Sequence, residues 1–240
     1  CHDHTFDPVT AAEFRLVIRN NADAIAPTEM DGVPGAIVVD VFALGDISTV
    51  PLNDFRLSAA HRVGRAQEKA GFAGIYDYYP IMSDDATPVG LTADGVIDLT
   101  DRVDAAGNLD WTPPAGTDWL VLDFGWSLTG KTNHPAPPEA TGLEVDKYNP
   151  EAVRRYFDAY LGMYREAVGD DLIGARGVTA LLTDSIEAGY ANWTPAMERE
   201  FQARRGYALR PWMPALAGIV IGSEAETERF LYDWRLTLSD

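Results

Sequence analysis

The sequence predicts an α/β fold in two parts: a β-rich region over residues 1–130, then alternating strands and helices over residues 131–240. Three observations carry this. Short β-branched and apolar runs, separated by Gly, Pro and Asn turns, recur through the first 130 residues. After Gly130 the pattern switches to apolar runs alternating with stripes of helical period. The resulting order of strand, helix, strand, helix implies a parallel sheet with right-handed crossovers, of which about two units are visible.

Phe14, Leu16 and Ile18 alternate with polar or exposed positions and suit a strand, although a helix over 11–20 has the same apolar content. Ala36 to Leu44 is β-branched, bounded by Gly35 and Gly45, and reads as a buried strand. Residues 58–71 carry Arg62, Arg65, Gln67, Glu68 and Lys69 and read as an exposed polar stretch. Val96 to Thr100 and Trp119 to Phe124 read as further strands, with turn signals at 106–108 and 113–116 between them. Strands spaced in this way suggest a small sandwich.

The loop 131–142 is polar and proline-rich, and Leu143 to Asp146 follows as a short strand. Asn149 and Pro150 begin a helix as N-cap and first residue; it runs to about Val168, with Gly169 ending it and Val153, Tyr156, Phe157, Tyr160 and Tyr164 on one stripe. Gly177 to Thr183 is nearly all apolar, as in a strand covered on both faces. A second helix is expected from Pro195 to Arg204 with Thr194 as N-cap. A third pattern places apolar residues 230, 231, 234 and 238 on one helical stripe. That stripe reaches Asp240 without a Gly or Pro stop, and residue 1 is Cys1 rather than Met, so an internal piece of a longer protein is expected.

Composition narrows the function. Apolar residues make up 46% of the 240 residues, enough for a real core. With 19 basic and 37 acidic side chains the formal charge is −18, which repels a phosphate backbone and argues against nucleic acid as a partner. No apolar run approaches the ~20 residues of a membrane span. Cys1 is the only cysteine, so neither an intramolecular disulfide nor a cysteine-based zinc site is available. His2 and His4 flank Asp3, but lack a partner cluster that would make them metal ligands. Arg204 and Arg205 read as a helix C-terminus, where cations suit the dipole.

In parallel α/β folds ligands bind beyond the carboxyl ends of the strands. One such end presents Glu144, Asp146 and Lys147; the other presents Asp184, Glu187, Asn192 and Trp193. Carboxylates for proton transfer, an amide for hydroxyls and an indole face for stacking together suit a sugar. The competing reading is that Asp184 caps a turn and Trp193 packs in the core.

At this point the residues resemble a known family. Leu182-Thr183-Asp184-Ser185-Ile186-Glu187-Ala188-Gly189 with Asn192-Trp193-Thr194 is similar to the α-L-rhamnosidases of glycoside hydrolase family 106. So are Thr129-Gly130-Lys131-Thr132-Asn133-His134, Gly142-Leu143-Glu144-Val145-Asp146-Lys147, Arg204-Arg205-Gly206-Tyr207 with Pro211-Trp212-Met213-Pro214, and Arg229 to Arg235. The resemblance lies mainly in residues 96–240. It implies part of a (β/α)8 barrel with a sandwich-like β-rich insertion, and inverting hydrolysis of terminal α-L-rhamnosyl bonds by two carboxyl groups. It makes Glu187 one of the pair, as general acid, with the second carboxylate beyond Asp240. Asp184, Asn192, Trp193, Lys131, Asn133, His134, Glu144 and Asp146 become candidate sugar contacts. Glu144 and Asp146 are also candidate ligands for Ca²⁺, a hard cation that favours carboxylate oxygens, unless one of them pairs with Lys147 or Lys131. No organic cofactor is expected. The partner is a rhamnose-containing glycoside or polysaccharide, and the place of action extracellular or periplasmic. Two alternatives remain open: a non-catalytic carbohydrate-binding β module, and an unrelated metal-dependent hydrolase built on Glu144, Asp146 and Asp184.

Overall fold

Helix α2, Pro150–Val168, is set by its ends. The Asn149 side chain accepts from the Glu151 and Ala152 amides, both at 3.1 Å, which satisfies two donors that the helix cannot. Pro150 holds the first helical position, and Gly169, at φ +84°, closes the other end with its amide on the Arg165 carbonyl. Both termini match the sequence reading. Tyr156 stacks on Tyr160, and Tyr160 meets Tyr164 edge to face at 5.2 Å, as the four-residue spacing requires. No residue of α2 is fully buried, so its stability leans on local terms. Replacing Asn149 with alanine is expected to cost about 1 kcal/mol. Hydrogen exchange of the first-turn amides reads this directly and should speed up severalfold.

The computed structural model describes residues 6, 9–18, 52, 55–74, 79–133, 136, 138–182 and 189–240. The chain divides into one compact unit of residues 6–60 and another of residues 61–240 together with 1–5. In the first, the described stretch 9–18 has neither strand nor helix. Phe14, Leu16 and Ile18 are exposed, and so is Val17, so no buried face separates the alternate residues. The strand expected over 36–44 and the His2/His4 pair lie outside the described residues.

Among its described residues the second unit also holds α1 (Ala66–Lys69), α3 (Met197–Arg205) and α4 (Glu224–Ser239). Ser223 caps α4 by accepting the Glu226 amide, and its hydroxyl donates to the Glu226 carboxylate. Phe230, Leu231 and Trp234 of α4 are buried as the stripe predicts. They pack against Met197 and Phe201 of α3, Val63 and Ala66 around α1, and Leu209, Ala215, Val220 and Ile221. Trp212 stacks on Phe230 and Phe201 meets Tyr207 edge to face, so aromatic area supplies much of this core. Pro211 and Pro214 keep Arg210–Ala217 in a 3₁₀ coil, and Gly218 at φ +81° ends it. A Cβ on Gly218 would come within 3.0 Å of Ala66 Cβ; only glycine lets α1 approach this closely. Arg210 straps the outside, donating to both oxygens of Glu198 and to Asp98. Hydrogen bonds from Thr100 and Arg210 hold the Asp98 carboxyl down at about 2.

The structure corrects the predicted fold class. Among the described residues there is no strand, only four isolated bridges: Arg62 with Ile219, Val103 with Leu109, Thr132 with Leu143, and Ile173 with Val178. The expected sandwich-like insertion and partial (β/α)8 barrel are therefore absent from the described residues, which are helix, 3₁₀ turn and loop. Apolar runs have strand propensity, but a strand exists only where another pairs with it, and propensity carries little weight alone. Trp119 to Phe124 has no ladder, and Leu120 and Val121 face solvent. Val96 to Leu99 lies between two 3₁₀ turns, and Thr100 begins the second of them. Leu143 makes one bridge. Val178 sits in a tight turn closed by Gly174 and Leu172, while Leu181 and Leu182 are exposed rather than covered on both faces.

Two smaller corrections follow. Residues 58–71, expected to be exposed, bury Val63, Ala66, Lys69 and Ala70, because a four-residue helix is too short to show a period. The second helix starts later than expected, with Ala196 rather than Thr194 at its cap, since the Thr194 hydroxyl is used elsewhere.

Candidate functional site

Residues 131–148 and 189–194, both within the larger unit, contain the described candidate residues. The polar loop after Gly130 closes on itself. Asn133 gives its amide to the Gly142 carbonyl at 3.0 Å, and its side-chain oxygen accepts the Gly142 amide at 2.7 Å. The Glu144 amide reaches the Lys131 carbonyl at 3.0 Å. Asn133 thus serves the loop's own geometry. The Lys131 stem lies against Gly189: a Cβ there would sit 2.9 Å from Lys131 Cε, and Gly189 has φ +74°. Glycine at 189 is what permits that approach.

Asp146 has the most partners. One carboxylate oxygen accepts the Tyr148 amide at 3.0 Å, in an Asx turn that leads into α2. The other accepts the Thr194 hydroxyl at 2.8 Å. The Tyr148 hydroxyl donates to the Ala191 carbonyl at 2.9 Å. Burial, and secondly the negative charge of Asp146, push the Tyr148 phenol above its ordinary value, so this donor keeps its proton through the neutral range. Glu144 turns instead to Lys147 in an i, i+3 ion pair.

The last segment is tied from the other side. Asn192 donates its side-chain amide to the Ala70 carbonyl at 3.0 Å, and Trp234 Nε1 donates to the same oxygen at 3.0 Å. Trp193 lies on Trp234 with ring centroids 6.3 Å apart, and its own Nε1 is buried with no hydrogen-bond partner among the described residues.

The structure therefore brings Lys131, Asp146, Asn192 and Trp193 to one run of residues, 189–194, and leaves Asn133 and Glu144 in local bonds. Glu187, Asp184 and His134 lie outside the described residues. Tyr148, Thr194 and the Ala70 carbonyl were missed as site elements. Tyr148 follows Asp146 by two, a spacing that signals an Asx turn. A backbone carbonyl carries no residue signal at all.

For the expected Ca²⁺, Glu144 faces the Lys147 ammonium, while each Asp146 oxygen accepts one protein donor and keeps a lone pair. Among the described residues no three His, Cys, Asp or Glu side chains cluster as metal ligands. An open pocket of 360 Å³, lined by Thr92, Trp212, Ile221 and Glu226, contains none of the predicted site residues.

Comparison with known proteins agrees with the motifs. A solved structure of a rhamnosidase from Novosphingobium sp. PP1Y is 50% identical with a TM-score of 0.65, over 75% of this chain and 17% of that one. A protein of Formosa agariphila named "Putative beta-glucuronidase" is 43% identical over 145 residues, which is 60% of this chain and 12% of that protein. The chain thus spans a small share of the length of both relatives. No described helix is long and apolar enough to cross a membrane. The family of alpha-L-rhamnosidases, glycoside hydrolase family 106, matches residues 8–240, and the chain belongs to that family.

Proposed function

We propose that this chain is part of a glycoside hydrolase that removes terminal α-L-rhamnosyl residues with inversion, and that Glu187 is its general acid. The observation that carries the reading is the family match over residues 8–240, which runs through Asp184-Ser185-Ile186-Glu187. Inversion needs two carboxyl groups roughly 6.5–9.5 Å apart, so that water fits on the face opposite the leaving group. Glu187 donates a proton to the glycosidic oxygen; a second carboxylate, supplied by the rest of the enzyme, takes one from the attacking water. The chain's 12% and 17% shares of its relatives leave ample length for that partner. A proton donor at neutral pH needs a raised pKa, which apolar surroundings supply. Asp184 and Lys131 are proposed as contacts to sugar hydroxyls.

Proton NMR of the natural full-length polypeptide acting on an aryl α-L-rhamnoside tests this. The first sugar released should be β-L-rhamnose, before mutarotation. Release of the α anomer would overturn inversion. The name of the Formosa agariphila relative makes an aryl β-D-glucuronide the proper second substrate. Turnover of that glycoside with none of the rhamnoside would overturn the sugar assignment.

A further inference from the structure

Helix α2 is longer than α4 and more sharply divided into an apolar and a charged side, yet it buries no residue where α4 buries six. At 3.6 residues per turn Val153, Tyr156, Phe157, Tyr160, Met163 and Tyr164 fall on one side. Arg154, Asp158, Arg165 and Glu166 fall on the other. The apolar side is open: Tyr156 is 51% exposed and Met163 60%. The element that α2 chiefly touches is the 3₁₀ turn Asp170–Leu172, directly after it, and Leu172 is exposed as well. Leu120, Val121 and Leu128 before the helix and Leu181 and Leu182 after it also face solvent. A helix of this kind draws most of its stability from packing its apolar side, and a large apolar side left in water marks a contact surface.

Three observations say what kind of partner fits. Tyr156 and Tyr160 lie nearly parallel, with an interplanar angle of 16°, and the Tyr160 and Tyr164 hydroxyls bond each other at 3.1 Å. These rings are spent on one another along the helix rather than laid out as a flat row for sugar faces. Met163, Val168 and Leu172 add aliphatic surface, which offers no hydrogen bond to a hydroxyl-rich ligand and suits a protein surface instead. Finally, the chain matches only 17% of the solved rhamnosidase and 12% of the Formosa agariphila protein, so more than four-fifths of each relative lies outside the match.

We infer that the apolar side of α2 is an intramolecular docking surface, covered in the natural full-length polypeptide by an apolar surface from outside residues 1–240. The α1–α4 core is complete within this chain, whereas α2 is half of an interface whose other half the rest of the polypeptide supplies. This shares with the proposed function only the premise of a longer enzyme, and no part of it depends on the role of Glu187.

Met163 gives a direct readout, because oxidation of a thioether by dilute hydrogen peroxide follows its access to solvent. In the folded full-length enzyme, peptide mass spectrometry should show Met163 oxidised at least about tenfold more slowly than after urea unfolding. It should then behave like Met197, which is 2% exposed in the core. Oxidation of Met163 in the folded enzyme at the unfolded rate would overturn the inference. Protection lost on dilution would assign the surface to a second copy, and protection that needs an added rhamnose-containing polysaccharide would assign it to a glycan; either result overturns it. Met163→Lys is the second measurement. On a free face it is nearly neutral, since both residues are good helix formers and the new charge lies three positions from Glu166. On a covered face it buries a charge and should lower the first thermal unfolding midpoint of the full-length enzyme by several degrees. An unchanged midpoint would overturn the inference. If the variant does not accumulate as folded protein, the oxidation rate of the unaltered enzyme decides. Neither measurement reads turnover, so failure of the acid assignment and failure of this inference are told apart.

Discussion

Replacing Glu228 with leucine while Lys69 remains is expected to destabilise the α1–α4 core by about 3–5 kcal/mol. The Lys69 ammonium is 1% exposed and the Glu228 side chain 3%, and the two form a direct ion pair. Each ion gave up its hydration to enter the core, and the partner offsets most of that cost. Remove Glu228, and the Lys69 ammonium is left buried without the carboxylate it pairs with. Lys69→Met alone supplies the second single variant of the cycle. The double variant, Lys69→Met with Glu228→Leu, removes both charges at similar volume and should recover most of the loss. Urea unfolding of the three variants measures this. Additive losses in the double variant would mean that the pair does not act as a unit.

The contrast between α2 and the missing strands shows which parts of the fold could be read from the chain. Asn149, Pro150 and Gly169 act within one turn of themselves, so both ends of α2 are visible in nearby residues. The α4 stripe is visible too, because Phe230, Leu231 and Trp234 recur at helical spacing whatever they pack against. Trp119 to Phe124 has the composition of a strand, but strand formation depends on a partner that local sequence does not name. The site follows the same division. The types of Asp146, Asn192 and Trp193 suggested sugar contacts. Their partners, Thr194, Ala70 and Trp234, come from segments that only the folded chain brings near. Thr194 looked like a helix cap, and the fold spends its hydroxyl on Asp146 instead.

Glu187→Gln is the variant with the largest expected effect on turnover. Glutamine keeps the size and polarity of glutamate but cannot donate a proton to a leaving oxygen. General acid catalysis contributes about 10²–10⁴-fold, and that factor should disappear from kcat. The loss should be greatest for a basic leaving group. It should shrink for an aryl group acidic enough to depart without protonation. Loss of a general base would instead be felt equally with either leaving group. The substitution is conservative, so the unfolding midpoint should stay near that of the parent. The most direct test is therefore kcat of the Glu187→Gln full-length enzyme on two aryl α-L-rhamnosides of different leaving-group acidity. The account predicts at least a ~100-fold loss on the poorer leaving group and partial recovery on the better one. Wild-type turnover on both would contradict it.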